Sequence, residues 1–235
     1  MPPPYSGTCM KNRIAVVFDL DGTLIDASRA IVDGFNHVLD RHSVRPYGEE
    51  QVLRMMGRPL GDMFVEIAVT HRLDVAQLVS EYVDYSRALA GRGIQLLPGA
   101  LALLERCRSS CRVGVNTSRT TSSARRILGG LGVNHLLPEI VGLDQVRNPK
   151  PHPEGLQLVL GRLGAIPQES IMLGDTPDDI QAALSAGVRA FGVATGYFST
   201  DDLRGAGAPE VFSNLAKFEV RLNQLNRKIE EKGTP

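Results

Sequence analysis

Tryptophan is absent from this 235-residue chain, and aromatic residues make up only 5% of it. That argues against the stacking platforms on which single-stranded nucleic acids lie. Lys+Arg and Asp+Glu both number 26, so there is neither a basic excess to meet a phosphate backbone nor an acidic excess to form a solvating tail. No apolar run approaches the roughly 18 residues needed to span a bilayer. The opening Met-Pro-Pro-Pro-Tyr-Ser-Gly-Thr has no apolar signal core, and residues 1–12 are expected to form a disordered tail. Cysteine is scarce: Cys9, Cys107 and Cys111 form an odd set, and no second pair or neighbouring His completes a zinc site. Reduced thiols in a cytoplasmic protein are expected, with no nucleic-acid or membrane partner. His37, His42, His71, His135 and His152 show no metal-ligand spacing and are read as structural or exposed.

What is present suits a globular protein with a full core: 43% of residues are hydrophobic and 22% charged. Residues 13–18 form an apolar run of the kind that makes a central parallel strand. Residues 27–42 follow with Ala30, Ile31, Phe35, Val38 and Leu39 at helical spacing. Segments 48–56, 61–72 and 74–90 are also helical in pattern, punctuated by Pro46, Gly57-Arg58-Pro59 and Gly91-Arg92-Gly93. No strand is expected in this stretch. After Pro98-Gly99 the rhythm changes to alternating helices (99–109, 119–131, 152–163, 177–186) and strands (112–116, 140–142, 171–173, 189–193). Alternation of this kind makes βαβ units and a parallel sheet. The expected fold is α/β: a doubly wound parallel sheet with an all-helical lobe inserted after the first strand. The core would comprise 13–25 and 96–235, and the lobe 26–95. Leu215, Phe218, Leu222, Leu225 and Ile229 form a helical stripe that either packs on the sheet or makes a dimer contact.

In doubly wound sheets ligands bind at the carboxyl ends of the strands. Phe18-Asp19-Leu20-Asp21-Gly22-Thr23-Leu24 follows the first strand. Two acids at the end of a buried strand call for a compensating cation, and a divalent metal supplies it. Thr117, Ser118 and Arg119 follow the second strand, Lys150-Pro151 follows the weak strand near Val141, and Gly174-Asp175-Thr176-Pro177-Asp178-Asp179 follows the next. A nucleophile, metal ligands, hydrogen-bond donors and a fixed cation are the parts of a phosphoryl-transfer site.

These four motifs, in this order, resemble the haloacid dehalogenase superfamily, in its phosphatase branch with a helical cap, over about residues 13–215. The first motif, Asp-x-Asp-Gly-Thr, is the most specific. The resemblance implies a Rossmann-like core, a Mg²⁺ cofactor, and a phosphoglycolate phosphatase-like hydrolase of small phosphorylated metabolites, monomeric or homodimeric. Asp19 would be the nucleophile that forms an aspartyl-phosphate. Asp21 would be the general acid and then base, its carbonyl also binding metal. Thr117 and Lys150 would hold the phosphoryl oxygens, with Ser118 acting through its backbone. Asp175 would ligate the metal, and Asp179 would orient the lysine or the metal's surroundings. Asp178 is read as a surface or helix N-terminal acid. Gly57 and Arg58 resemble the substrate-facing turn of the cap. Arg58 either meets a substrate anion or faces solvent.

The same motifs also serve a phosphosugar mutase (β-phosphoglucomutase-like), which returns the phosphoryl group to bound sugar, or a non-catalytic binding subunit of the same fold. Asp21 sets the chain apart from the dehalogenase branch. The absence of any lysine from residues 26–97 sets it apart from the Schiff-base phosphonatases.

Overall fold

A computed structural model describes residues 14–89 and 91–233, with side chains to residue 227. The tail expected over 1–12, Cys9 and the Ile229 side chain lie outside the described residues. The chain runs β1 (Ala15–Phe18), β2 (Ile25–Asp26), α1 (Ser28–Arg41), α2 (Glu49–Leu53), α3 (Leu60–His71), α4 (Val75–Ala88) and β3 (Gln95–Leu96). It continues through α5 (Ala100–Ser110), β4 (Arg112–Asn116), α6 (Thr121–Gly130), β5 (Glu139–Val141), α7 (Glu154–Leu163), β6 (Ser170–Gly174) and α8 (Pro177–Ser185). β7 (Arg189–Val193), α9 (Thr200–Gly205), β8 (Glu210–Phe212) and α10 (Leu215–Gly233) complete it.

Six strands form one sheet in the order β5-β4-β1-β6-β7-β8, every neighbouring pair parallel. β1 is central because its four residues are all buried and apolar, which only a strand covered on both faces tolerates. Side chains alternate across the sheet. Ala15, Val17 and Met172 face the core beneath α7 and α8, with Val159, Leu160, Ile180 and Ala183. Val16, Phe18, Ile171 and Leu173 face the opposite core. On that side α10 inserts Phe218, whose ring meets Phe18, Phe191 and Phe212 edge-on at 6.4, 6.1 and 5.6 Å. Leu215, Phe218, Leu222 and Leu225 are all buried, so within the described side chains the stripe packs on the core.

Two departures from the sequence reading are small and physical. The edge strand β8 was not expected. It has only three residues, all half-buried, too few to show an alternation. The stretch read as all-helical begins and ends in strand: Ile25 pairs with Leu96 and Asp26 with Gln95 in an antiparallel two-strand ribbon. Strands of two residues carry no periodicity of their own.

Between the ribbon strands lie α1–α4. Their apolar faces meet around Phe35, Phe64 and Tyr82; Phe35 and Phe64 stack at 4.7 Å, and Phe64 meets Tyr82 edge-on at 6.3 Å. The helices touch the sheet domain at the strand ends. Ser118 Oγ donates to the Gly57 carbonyl at 2.5 Å, and the Tyr197 hydroxyl donates to Glu50 Oε1 at 3.0 Å. The Arg54 guanidinium sits 5.3 Å from the centre of the Tyr197 ring.

Candidate active site

The expected site residues of the sheet domain lie at or after the carboxyl ends of its strands, whereas Gly57 and Arg58 lie between α2 and α3. β1 delivers Asp19, whose N–H donates to the Leu173 carbonyl at 2.9 Å; β6 delivers Asp175. α8 then begins at a capping box. Thr176 Oγ1 accepts from the Asp179 N–H at 3.2 Å, while Asp179 Oδ2 accepts from the Thr176 N–H at 3.1 Å and its hydroxyl at 2.7 Å. Reciprocal bonding of this kind satisfies the free donors of a helix start, and Pro177 supplies a residue with no N–H to satisfy. The Asp179 side chain is thereby fixed, with Oδ1 left to face the site.

Lys150, which precedes a cis peptide to Pro151, reaches this point from the loop after β5. Its ammonium donates to Asp19 Oδ1 at 2.6 Å, Asp179 Oδ1 at 2.6 Å and the Asn116 carbonyl at 3.3 Å. An ammonium has three donors, and all three are engaged. Asp19, Lys150, Asp175 and Asp179 are buried. One ligand oxygen from each of Asp19, Asp175 and Asp179 lies within 4.8 Å of the others.

The cluster is short of positive charge. Three carboxylates face one ammonium, leaving two negative charges to compensate. Burial therefore raises the Asp19 carboxyl to about 7, opposed by Lys150 and reinforced by Asp179. Asp175 is pushed well above the usual carboxylate range, first by burial and then by Asp19 and Asp179, against the hydrogen bond from Thr23. Burial alone would lower Lys150; the carboxylates of Asp179 and Asp19 outweigh it and hold the amine protonated.

Asp175 is also shaped by its neighbours. Thr23 Oγ1 donates to its Oδ1 at 2.7 Å. Its Oδ2 lies where a Cβ on Gly22 or Gly196 would collide with it. Gly22 has φ +80°, so the turn needs glycine as well. Gly196 has no such backbone requirement. At Gly196 the missing side chain makes room for the Asp175 carboxylate. Hard oxygen donors, an unmet charge of two and a cradle that any side chain would fill together fit a small divalent cation such as Mg²⁺.

The Asp21 side chain is not part of this cluster. It holds Arg119 in a two-point ion pair, Nε to Oδ2 at 2.6 Å and Nη2 to Oδ1 at 2.7 Å. Burial would lower the guanidinium's pKa; Asp21 more than offsets it. The sequence places Arg119 after the second strand and assigns its side chain no role. Its side chain is the residue that reading missed, because the pair joins positions 98 apart. Thr117 is buried, its Oγ1 accepting from the Arg119 N–H at 3.2 Å. Ser118, expected to act through its backbone, uses its hydroxyl to hold the Gly57 carbonyl. Asp178 is raised by burial and by Asp179 and sits in the first turn of α8. Arg58 is exposed beside the cavity above Asp19 and Asp21. Three of the histidines have structural contacts: His37 stacks on Tyr85, His42 meets Glu81 at 3.1 Å, and His152 Nδ1 accepts from the Glu154 N–H at 3.2 Å. Cys107 and Cys111 are buried and are not joined in a disulfide. Among the described residues no helix is long and apolar enough to cross a membrane.

Comparison with known proteins agrees with this geometry. The family profile for haloacid dehalogenase-like hydrolases matches residues 16–193. A phosphoglycolate phosphatase of Rhodospirillum rubrum is 33% identical over 212 residues, covering 86% of this chain and 88% of its own. The pyrophosphatase PpaX of Bacillus pumilus is 32% identical over 179 residues, covering 76% and 82%. Among solved structures, a haloacid dehalogenase-like hydrolase from Bacteroides fragilis superposes with a TM-score of 0.81 at 26% identity, covering 88% of this chain and 100% of that one. With its four motifs gathered at the ends of one parallel sheet and most of its length matched, the chain belongs to the haloacid dehalogenase-like hydrolase family.

Proposed function

We propose that the protein is a Mg²⁺-dependent phosphatase of small phosphate monoesters that works through an aspartyl-phosphate, with residues 26–95 serving as a cap over a core of 13–25 and 96–235. One observation carries this reading: Asp19, Asp175 and Asp179 lie together, buried, with a single ammonium, bonded to Asp19 and Asp179, to answer three carboxylates. The relatives named as phosphatases support it. The bound cation would be held by Asp19, Asp175 and the Asp21 carbonyl, and would neutralise phosphate oxygens as the dianion approaches a carboxylate.

The chain's own residues divide the remaining work. Lys150 holds Asp19 Oδ1, leaving Oδ2 to attack phosphorus in line; the bond from phosphorus to the ester oxygen breaks as the bond to Asp19 forms. Asp21 leaves its pair with Arg119, takes up a proton from solvent as the guanidinium withdraws, and gives that proton to the departing alkoxide. It then takes a proton from the water that attacks the aspartyl-phosphate, releasing Asp19 and inorganic phosphate. Thr117 donates to the transferring oxygens, and Lys150 joins it by exchanging its long 3.3 Å bond to the Asn116 carbonyl for one to phosphate. Ser118 keeps the Gly57-Arg58 turn of the cap against the site, so that closure excludes bulk water and favours small metabolites. Asp179 positions Lys150.

A panel of phosphate esters assayed for inorganic phosphate with Mg²⁺ and with EDTA tests the reading. Release that vanishes in EDTA and returns with Mg²⁺ is expected; metal-independent release, or transfer of phosphate to sugar without release, contradicts it.

A pH dependence follows. Asp19 titrates near 7 in the folded protein against an ordinary 3.8. Between those values the folded state holds a proton that the unfolded state has lost, so this group's contribution to stability falls as pH rises through the window. A bound divalent cation replaces that proton. The rise in melting temperature on adding Mg²⁺ is therefore expected to be larger at about pH 8 than at about pH 5. An equal rise at both would count against cation binding at Asp19.

A further inference from the structure

Asp19 and Asp21 line a cavity of about 650 Å³. That is the size of site that encloses drug-sized ligands, and much more than a two-carbon acid phosphate fills. Its lining is of two kinds. Met56, Met63 and Tyr82 from the helical insert contribute an apolar surface, and Arg58, Arg87 and Arg126 contribute three guanidinium groups.

The charges do not balance within the cavity. Asp19 and Asp21 are the only acids lining it among the described residues. Asp19 is held by Lys150 and Asp21 by Arg119. Arg87 leans on Asp84, outside the cavity, at a loose 3.6 Å with both side chains mostly exposed. The contact described for Arg126 is a long 3.4 Å bond to Ser123 Oγ. Arg58 lies within electrostatic reach of Asp178 of α8. The transferring phosphate is already answered by Lys150 and the cation site, so these arginines are not needed to neutralise it. Guanidinium groups in a concave site focus a positive field and match carboxylate or phosphate by paired donors.

We propose that the substrate carries a second anionic group, a carboxylate or phosphate, separated from the transferring phosphate by an apolar body, and that Arg126 with Arg87 forms the subsite for it. This rests on the phosphatase reading of the same site. Phosphoglycolate, which has no apolar body and carries its carboxylate one carbon from the ester oxygen, is then a poor fit.

The test uses the full chain with Mg²⁺ and measures kcat/KM for phosphoglycolate, for ω-carboxyalkyl phosphates of increasing length, for alkanediol bisphosphates, and for n-alkyl phosphates of matched length. A longer doubly anionic ester is expected to exceed its n-alkyl match by roughly tenfold to a hundredfold, the range of a charge-assisted hydrogen bond. Arg126→Ala is expected to remove that advantage while leaving the n-alkyl and a generic aryl phosphate unchanged. Phosphoglycolate as the best substrate, or an equal loss on both series, overturns the subsite. Failure to release phosphate from any ester overturns the phosphatase reading instead. The subsite is then judged by calorimetric binding of an ω-carboxyalkyl phosphonate, which Arg126→Ala should weaken by at least about tenfold; unchanged binding refutes it.

Discussion

The Asp19→Asn variant is expected to lose on the order of 10⁴-fold or more in phosphate release, as enzymes do when a covalent nucleophile is removed. An amide does not attack phosphorus, and neither of the other cluster acids stands in for it. Asp179 has Oδ1 bound to Lys150 and Oδ2 bound twice to Thr176, while Asp175 is tied to Thr23 and walled by glycine. The fold should survive. Burial already disfavours the charged form of Asp19, and the amide oxygen can still accept from Lys150. In EDTA the variant is expected to match or exceed the parent in unfolding free energy. Chemical denaturation read beside activity separates the two effects: a variant that keeps its activity, or that loses it only because it unfolds, contradicts the assignment.

Lys150→Met is expected to damage both stability and rate. The lysine is the one cation among the described side chains bonded to Asp19 and Asp179, and both carboxylates are buried. Removing one partner of a buried ion pair leaves charge without compensation and costs about 3–5 kcal/mol. The loss should be greatest at about pH 8 and shrink as pH falls, because Asp19, already raised to about 7, takes up a proton and sheds the charge. Phosphate release should fall by roughly 10²–10³-fold even where the protein is folded, the effect of losing one donor to a developing oxyanion. Combining it with Asp19→Asn should recover part of the stability, a coupling that a double-mutant cycle measures directly. If Lys150→Met unfolds within about 1 kcal/mol of the parent at all pH values, the ammonium is not what holds the cluster together.

The parts legible in the sequence were those written in local, contiguous form. β1 announces itself as an apolar run, and the strand ends announce themselves by polar residues that a buried strand does not otherwise carry. Asp19, Lys150, Asp175 and Asp179 were all readable this way, since each directly follows an apolar segment or a turn signal. What escaped was set by three-dimensional proximity alone. The Asp21–Arg119 pair joins the ends of β1 and β4, which lie far apart in the chain but side by side in the sheet. Gly196 looks like any loop glycine until Asp175 is seen behind it. Arg87 and Arg126 belong to the exposed faces of ordinary amphipathic helices, and only the packing of the insert against the sheet domain places both on one cavity. β2, β3 and β8 are too short for periodicity to register, and they form because neighbouring backbone offers them partners.

Covalent trapping tests the central claim most directly. The full chain is mixed with Mg²⁺ and a turned-over phosphate ester, quenched in acid within the steady state, and reduced with borohydride, which converts an acyl phosphate to the alcohol. Peptide mass analysis should then find residue 19 as homoserine, in a substrate-dependent fraction that is absent without Mg²⁺. Turnover with Asp19 unmodified, or with the phosphoryl group on another side chain, would contradict the account.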